Sequence, residues 1–235
     1  MMYYEPVLYL LAILSLAFSL WAQVRVSSTF RKYSVKRTAS GDTAAKVARM
    51  ILDRNGLYSV RIERVGGDLT DHYDPRAGVL RLSDSVHDNS SAAAIGVAAH
   101  EAGHAVQHAV GYLPIKIRST LVPVTSFASR FSWIVIILGV LLLAFDPFIG
   151  YYALLVGVGL FSLVTLFQLV TLPCELDASK RAMQALRASG RYMNDELVAS
   201  RKVLTAAALT YVAALATSII QLLRLLAMLN NSRKR

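Results

Sequence analysis

Four long apolar stretches leave this chain few ways to fold in water. The sequence has 235 residues, 55% of them hydrophobic, above the share of an ordinary soluble domain. Pro6 to Val24 is apolar apart from Ser and Gln, with Tyr3, Tyr4 and Trp21 placed to mark membrane interfaces. A cleavable signal peptide is the rival reading. The start Met-Met-Tyr-Tyr-Glu has no basic n-region and no small-residue cleavage site follows, so an anchoring span is expected. Phe127 to Phe145 and Phe148 to Leu172 are separated only by Asp146-Pro147. That spacing predicts a helical hairpin across a bilayer, with Arg130 able to snorkel to its edge. Val203 to Leu229 is long enough to span but carries Gln221 and Arg224. It is expected to span; a helix lying partly against the rest of the protein is the other reading.

Charge orients these spans. Arg25, Arg31, Lys32, Lys36 and Arg37 follow the first stretch and no basic residue precedes it, which predicts a cytoplasmic C-terminal end. Residues 25–126 then face the cytoplasm, and the basic segment from Cys174 to Lys202 returns there. The tail Arg233-Lys234-Arg235 disagrees, since a spanning fourth stretch would put it outside; a re-entrant or interfacial course would remove the conflict. The net charge of +10 therefore needs no nucleic acid, because cations at membrane edges follow from topology and anionic headgroups. No aromatic-interleaved basic patch of a nucleic-acid binder is visible. The single cysteine, Cys174, excludes an intramolecular disulfide and fits a reducing compartment.

Between the first two stretches lies a small polar domain. Gly41 to Asn55 reads as an amphipathic helix closed by Gly56, Tyr58 to Val65 as a strand, and Val79 to Ser83 as a second strand after the turn-rich Asp74-Pro75-Arg76-Ala77-Gly78. Val79 to Leu82 is a candidate edge for holding an extended substrate; an ordinary core strand is the alternative. Ser90 to Val110 then reads as a helix, with Ser90 or Ser91 as N-cap and Gly111 as its stop. Within it stands His100-Glu101-Ala102-Gly103-His104, an H-E-x-x-H pattern. Residues four apart share a helix face, so both imidazoles can reach one zinc ion. Glu101, one step round, can take a proton from a metal-activated water. The surrounding alanines sharpen the signal, because a buried His and Glu without a partner would be costly.

A catalytic zinc usually takes a third protein ligand. His108, His72, His87, Cys174 and Glu175 are the candidates. His108 continues the same face but lies about 12 Å along the axis from His100 at 1.5 Å per residue, too far for one ion. Glu175 is better placed, in an acidic segment that is expected to begin a new helix after Pro173. Asp177 or Ser179 could then hold the far nitrogen of a ligating imidazole. His72 or His108 could donate to a developing oxyanion, although turn hydrogen bonding accounts for His72 more simply.

Several blocks carry a resemblance. Leu69-Thr70-Asp71-His72-Tyr73-Asp74-Pro75, Arg81-Leu82-Ser83, Ala98 to His108 and Leu172 to Ser179 resemble the YugP-type neutral zinc metallopeptidases, a family of bacterial membrane proteins. The chain is more distantly similar to the HtpX-like and prenyl-protein membrane endopeptidases. In those relatives the Glu of a Glu-aromatic-x-Ala-Asp block is the third zinc ligand, which the resemblance places on Glu175. Ser179 stands where they carry Asp, and Asp177 is the other residue able to take that place.

The expected fold is an α+β membrane protein, mostly helical. About four transmembrane helices accompany a small zincin-like cytoplasmic domain containing a short β-hairpin or sheet. Its parts are an anchor (1–24), a catalytic domain (25–126), a transmembrane hairpin (127–172), a helix with the third ligand (173–202) and a last apolar helix with a basic tail (203–235). The expected function is a zinc endopeptidase of the bacterial cell (inner) membrane with one Zn2+ per chain. His100, His104 and Glu175 are its ligands and Glu101 its general base; its partners are protein or peptide substrates and the bilayer. A catalytically silent scaffold or chaperone partner is the alternative, which the intact Glu101 argues against. A transporter is a further reading, disfavoured because the stretches hold almost no ionisable residue besides Arg224.

Overall fold

The computed structural model describes residues 4–233; Tyr3, Lys234 and Arg235 lie outside them. The described elements run α1 (Tyr4–Ser34), α2 (Ala44–Arg54), β1 (Arg61–Val65), β2 (His72–Asp74), β3 (Val79–Ser83), α3 (Ala92–Ala109), α4 (Leu113–Leu142), α5 (Pro147–Ala188) and α6 (Asn194–Ser232). The protein is mostly helical with one small three-stranded sheet. Among the described residues four helices, α1, α4, α5 and α6, are long and apolar enough to cross a membrane; α1, α5 and α6 each contain an apolar stretch whole, and α4 holds its stretch as far as Leu142.

Two of these helices differ from expectation. α4 begins at Leu113 rather than near Phe127, because Pro114 fits a first helical turn, where its missing N–H costs nothing. α5 does not restart after Pro173 but continues through it for 42 residues, about 63 Å at 1.5 Å per residue. Proline is tolerated inside long apolar helices when neighbouring groups take up the freed backbone. α6 is likewise one unbroken helix of 39 residues. A re-entrant course needs a break in the helix, and α6 has none.

The chain divides into two compact units. The first gathers the chain up to Trp21, Ile117–Leu172 and the part from Tyr211 on. Its core is Ile136, Leu154, Val158, Phe161 and Leu225. Glycines set the approach of α4 to α5. A Cβ on Gly139 would lie 2.6 Å from the Leu154 nitrogen, and one on Gly157 2.9 Å from the Ile136 nitrogen. Close backbone packing through small residues is the usual way helices associate in lipid, where no hydrophobic effect drives them together. One polar contact joins α6 to α1: the Thr217 hydroxyl lies 3.0 Å from that of Ser19 and donates to the Ser15 carbonyl. Arg224, the anomaly of the fourth stretch, donates to Gln221 Oε1 at 2.9 Å and stands 4.4 Å over the Tyr9 ring.

The second unit comprises Ala22–Lys116 and Pro173–Thr210. Its core joins Val47, Ile51 and Leu52 of α2 to Leu80 and Leu82 of β3, with Ile95 and the alanines of α3. Thr43 caps α2 by accepting from the Lys46 N–H, and Gly56 ends it at φ +73°. The sheet order is β1-β3-β2, with β1 parallel and β2 antiparallel to β3. Two expectations change here. β3 is paired on both sides, so Val79–Leu82 is a central strand and offers no open edge. His72 lies not in a turn but in β2, a three-residue strand paired with Val79–Arg81.

Candidate metal centre

α3 starts where the Ser91 hydroxyl accepts from the Ala94 N–H at 3.2 Å, and its chain stops at Gly111, φ +67°. Its small residues let other helices come close. A Cβ on Gly103 would sit 2.7 Å from the Ala178 carbonyl oxygen of α5, and one on Gly96 3.2 Å from Ser200 Cβ of α6. Ser200 also donates to the Ala92 carbonyl at 2.7 Å. The Gly103 contact presses the C-terminal part of α5 onto the face of α3 that carries the two histidines.

That approach brings three ligand groups together. His100 and His104 are one turn apart with ring centroids 4.7 Å from each other. Glu175, only 1% exposed, places Oε2 at 3.1 Å from His100 Nε2 and 3.5 Å from His104 Nε2. Among the described residues, these three offer ligand atoms within 4.8 Å of one another. Burial would raise the Glu175 carboxyl, but its hydrogen bonds with His100 and His104, and their charge, hold it well below the usual carboxylate range.

The far side of each imidazole is held as well. Ser179 Oγ lies 3.0 Å from His100 Nδ1. His104 Nδ1 lies 3.0 Å from Gln107 Oε1, an acceptor, so Nδ1 carries a proton and Nε2 is the nitrogen turned toward Glu175. The Gln107 amide in turn donates to the Cys174 carbonyl and to Asp177 Oδ2, both at 2.8 Å, and Asp177 also takes Arg181 Nε at 2.5 Å. Asp177 therefore reaches His104 only through Gln107. Sequence reasoning missed Gln107, although its i+3 spacing from His104 places it on the same helix face.

Glu101 follows His100 on α3. Burial raises its carboxyl above the ordinary value, opposed by the charge of His104 and His100 and reinforced by Glu175 and Asp71. Asp71 is itself tied to β3, accepting from the Ser83 N–H at 2.8 Å and its hydroxyl at 2.9 Å.

The other candidates lie apart from this cluster. His108 packs its ring 5.6 Å from that of Tyr73 in β2. His72 sits on the surface, with Nδ1 2.9 Å from the Thr70 carbonyl oxygen and Nε2 facing Arg81. His87 pairs with Asp88 at 2.6 Å. Cys174 is fully buried and enters the site through its backbone carbonyl rather than its sulfur.

The donor set fits zinc. Two imidazole nitrogens and a carboxylate oxygen are a familiar three-ligand set that leaves a fourth position open. Ligand atoms about 2.05 Å from a tetrahedral ion stand about 3.3–3.4 Å apart. The observed separations of 3.1 and 3.5 Å from Glu175 Oε2 to the two Nε2 atoms bracket that value.

Residues 8–230 match the family described as "Putative neutral zinc metallopeptidase". The chain is also 47% identical over 223 residues to "Putative membrane protease YugP" of Bacillus subtilis (strain 168), covering 95% of this chain and 96% of that protein. No solved structure matches it.

Proposed function

The chain belongs to the neutral zinc metallopeptidase family, and from that premise we propose that it is a membrane-bound zinc endopeptidase acting on membrane or misfolded proteins. One zinc ion is held by His100 and His104 through Nε2 and by Glu175 through its carboxylate. Bound there, zinc supplies a Lewis acid for the scissile carbonyl and lowers the pKa of water toward neutrality. Glu101 accepts the proton of the attacking water on its carboxylate and delivers it to the nitrogen of the leaving amine. Its partly buried position beside His100 supports this role, since a carboxyl with a raised pKa can both take and return a proton near neutral pH. Ser179 orients His100, and Gln107, backed by Asp177, orients His104.

β2 is a terminal strand of the described sheet, and Tyr73 within it meets His108 of α3. An extended substrate lies along that edge by adding its own backbone hydrogen bonds, with His108 and His72 as flanking polar contacts. The catalytic part, residues 25–126 and 173–202, faces the cytoplasm. An anchor (1–24), a hairpin (127–172) and a final helix (203–235) hold it to the cell membrane.

One observation carries the reading: three zinc-type donors from two different helices converge, with an intact glutamate next to the first of them. A silent scaffold has no need of that glutamate. The test is Glu101→Gln. The purified variant is expected to keep zinc, because Glu101 is not a ligand, and to cleave casein about 100- to 10,000-fold more slowly. Wild-type cleavage by this variant would remove Glu101 from the reaction.

A further inference from the structure

A second concave feature lies away from the zinc chemistry. Arg25 and Lys32 of α1 meet Arg201 and Lys202 of α6 around a cleft of about 610 Å3. Tyr33 stands between the two lysines, with Lys32 Nζ 5.7 Å and Lys202 Nζ 5.9 Å from its ring centroid. All four cations are exposed, and none of the described residues that line the cleft is acidic. The acidic side chains that open α6 are engaged elsewhere. Asp195 pairs with Lys36, and Glu196 accepts from the backbone N–H groups of Ala39 and Met193. Four like charges around one hollow repel each other, and an anion seated among them relieves that repulsion.

The place of the cleft along the helices indicates which anion. Arg25 directly follows the apolar stretch Pro6–Val24, and Arg201 and Lys202 directly precede Val203–Leu229. On both helices the cations thus occupy the first turns beyond an apolar segment, the depth at which lipid phosphates lie. The wall of the cleft continues along α6 through Thr205 and Leu209, one turn apart and heading into the apolar segment. A free anion or an acidic peptide has no use for such an apolar runway; a phospholipid does. We propose that this cleft binds an anionic phospholipid, its phosphate among the four cations and one acyl chain along Leu209. The site stands independently of the zinc reading and would hold whichever face of the membrane the second unit occupies.

The test uses the full-length protein in neutral detergent, with dioleoyl phosphatidylglycerol or dioleoyl phosphatidylcholine added and bound lipid read by native mass spectrometry. The wild type is expected to retain phosphatidylglycerol in preference to phosphatidylcholine. Lys32→Gln/Lys202→Gln is expected to weaken that binding about thirtyfold, since each near-surface cation contributes about fivefold toward an anionic lipid. Arg54→Gln/Arg76→Gln removes the same charge from exposed sites outside the cleft and is expected to leave binding unchanged. Thr205→Trp, which fills the runway without altering charge, is expected to weaken phosphatidylglycerol binding too. Equal retention of the two lipids, equal loss in the two double variants, or displacement of the lipid by inorganic phosphate at matching concentration would each overturn the proposal.

Discussion

Gln107 joins three groups that would otherwise be strangers: an imidazole, a backbone carbonyl and a carboxylate. Replacing it with leucine keeps the volume but frees the His104 ring to turn and removes the amide that joins that ring to Asp177 and the Cys174 carbonyl. Zinc affinity, measured by competition with a chelator, is expected to fall about 10- to 100-fold in Gln107→Leu. Glu175→Ala should empty the site outright by elemental analysis, while His108→Ala should leave zinc in place. Zinc kept in the first and lost in the last would move the third ligand to His108. The contrast between these residues explains what was legible. His100, Glu101 and His104 announce themselves because a helical period of about 3.6 residues is local and shows in the spacing. Glu175 could be singled out from its acidic segment and from the resemblance. Gln107 could not, because a glutamine among alanines on a helix reads as a surface residue until its partner, 70 positions away, is in view.

The elements that position the centre rely on close backbone contact. A methyl group at Gly103 would meet the Ala178 carbonyl at 2.7 Å, inside any normal contact. Gly103→Ala is therefore expected to part α5 from α3, with a stability loss of about 1–3 kcal/mol in thermal unfolding and reduced zinc occupancy. Gly159→Ala, where a Cβ has nothing within 4 Å, is the matched control and should be neutral or stabilising. Equal effects of the two substitutions would refute the packing account. At this scale the sequence was a partial guide. α3 could be placed from its N-cap serine and glycine stop, α2 from its amphipathic pattern and Gly56 although its cap, Thr43, was not singled out, and β3 from the turn residues before it. β2 could not, since three residues gain strand character only by pairing with β3, and Asp74-Pro75 resembles a turn. Pro173 misled for a related reason: it marks a helix end in water, but not in a long apolar helix with packed neighbours.

At the scale of the whole molecule, four long apolar helices dominate the described residues, and each of the four contributes residues to both units without a break. The proposed orientation, with the catalytic part in the cytoplasm, rests on the five basic residues after the first apolar stretch. A reporter fused after Lys36 is expected to behave as cytoplasmic, and one fused after Asp146 as external. Labelling of a cysteine introduced near Asp74 by a reagent that cannot enter intact cells would invert this topology. The unbroken course of α5 has a further consequence for how the protein is made. The two histidines belong to the first half of the chain, and Glu175 arrives only after the hairpin of α4 and α5 has been synthesised. On the proposed ligand set, a ribosome that has finished α3 has produced a harmless helix with an incomplete grip on its metal. On the same proposal, proteolysis would begin only once the hairpin has been threaded into the bilayer and Glu175 has emerged beyond it. The newborn protein would thereby be kept from cutting its neighbours, and itself, before it reaches its place of work.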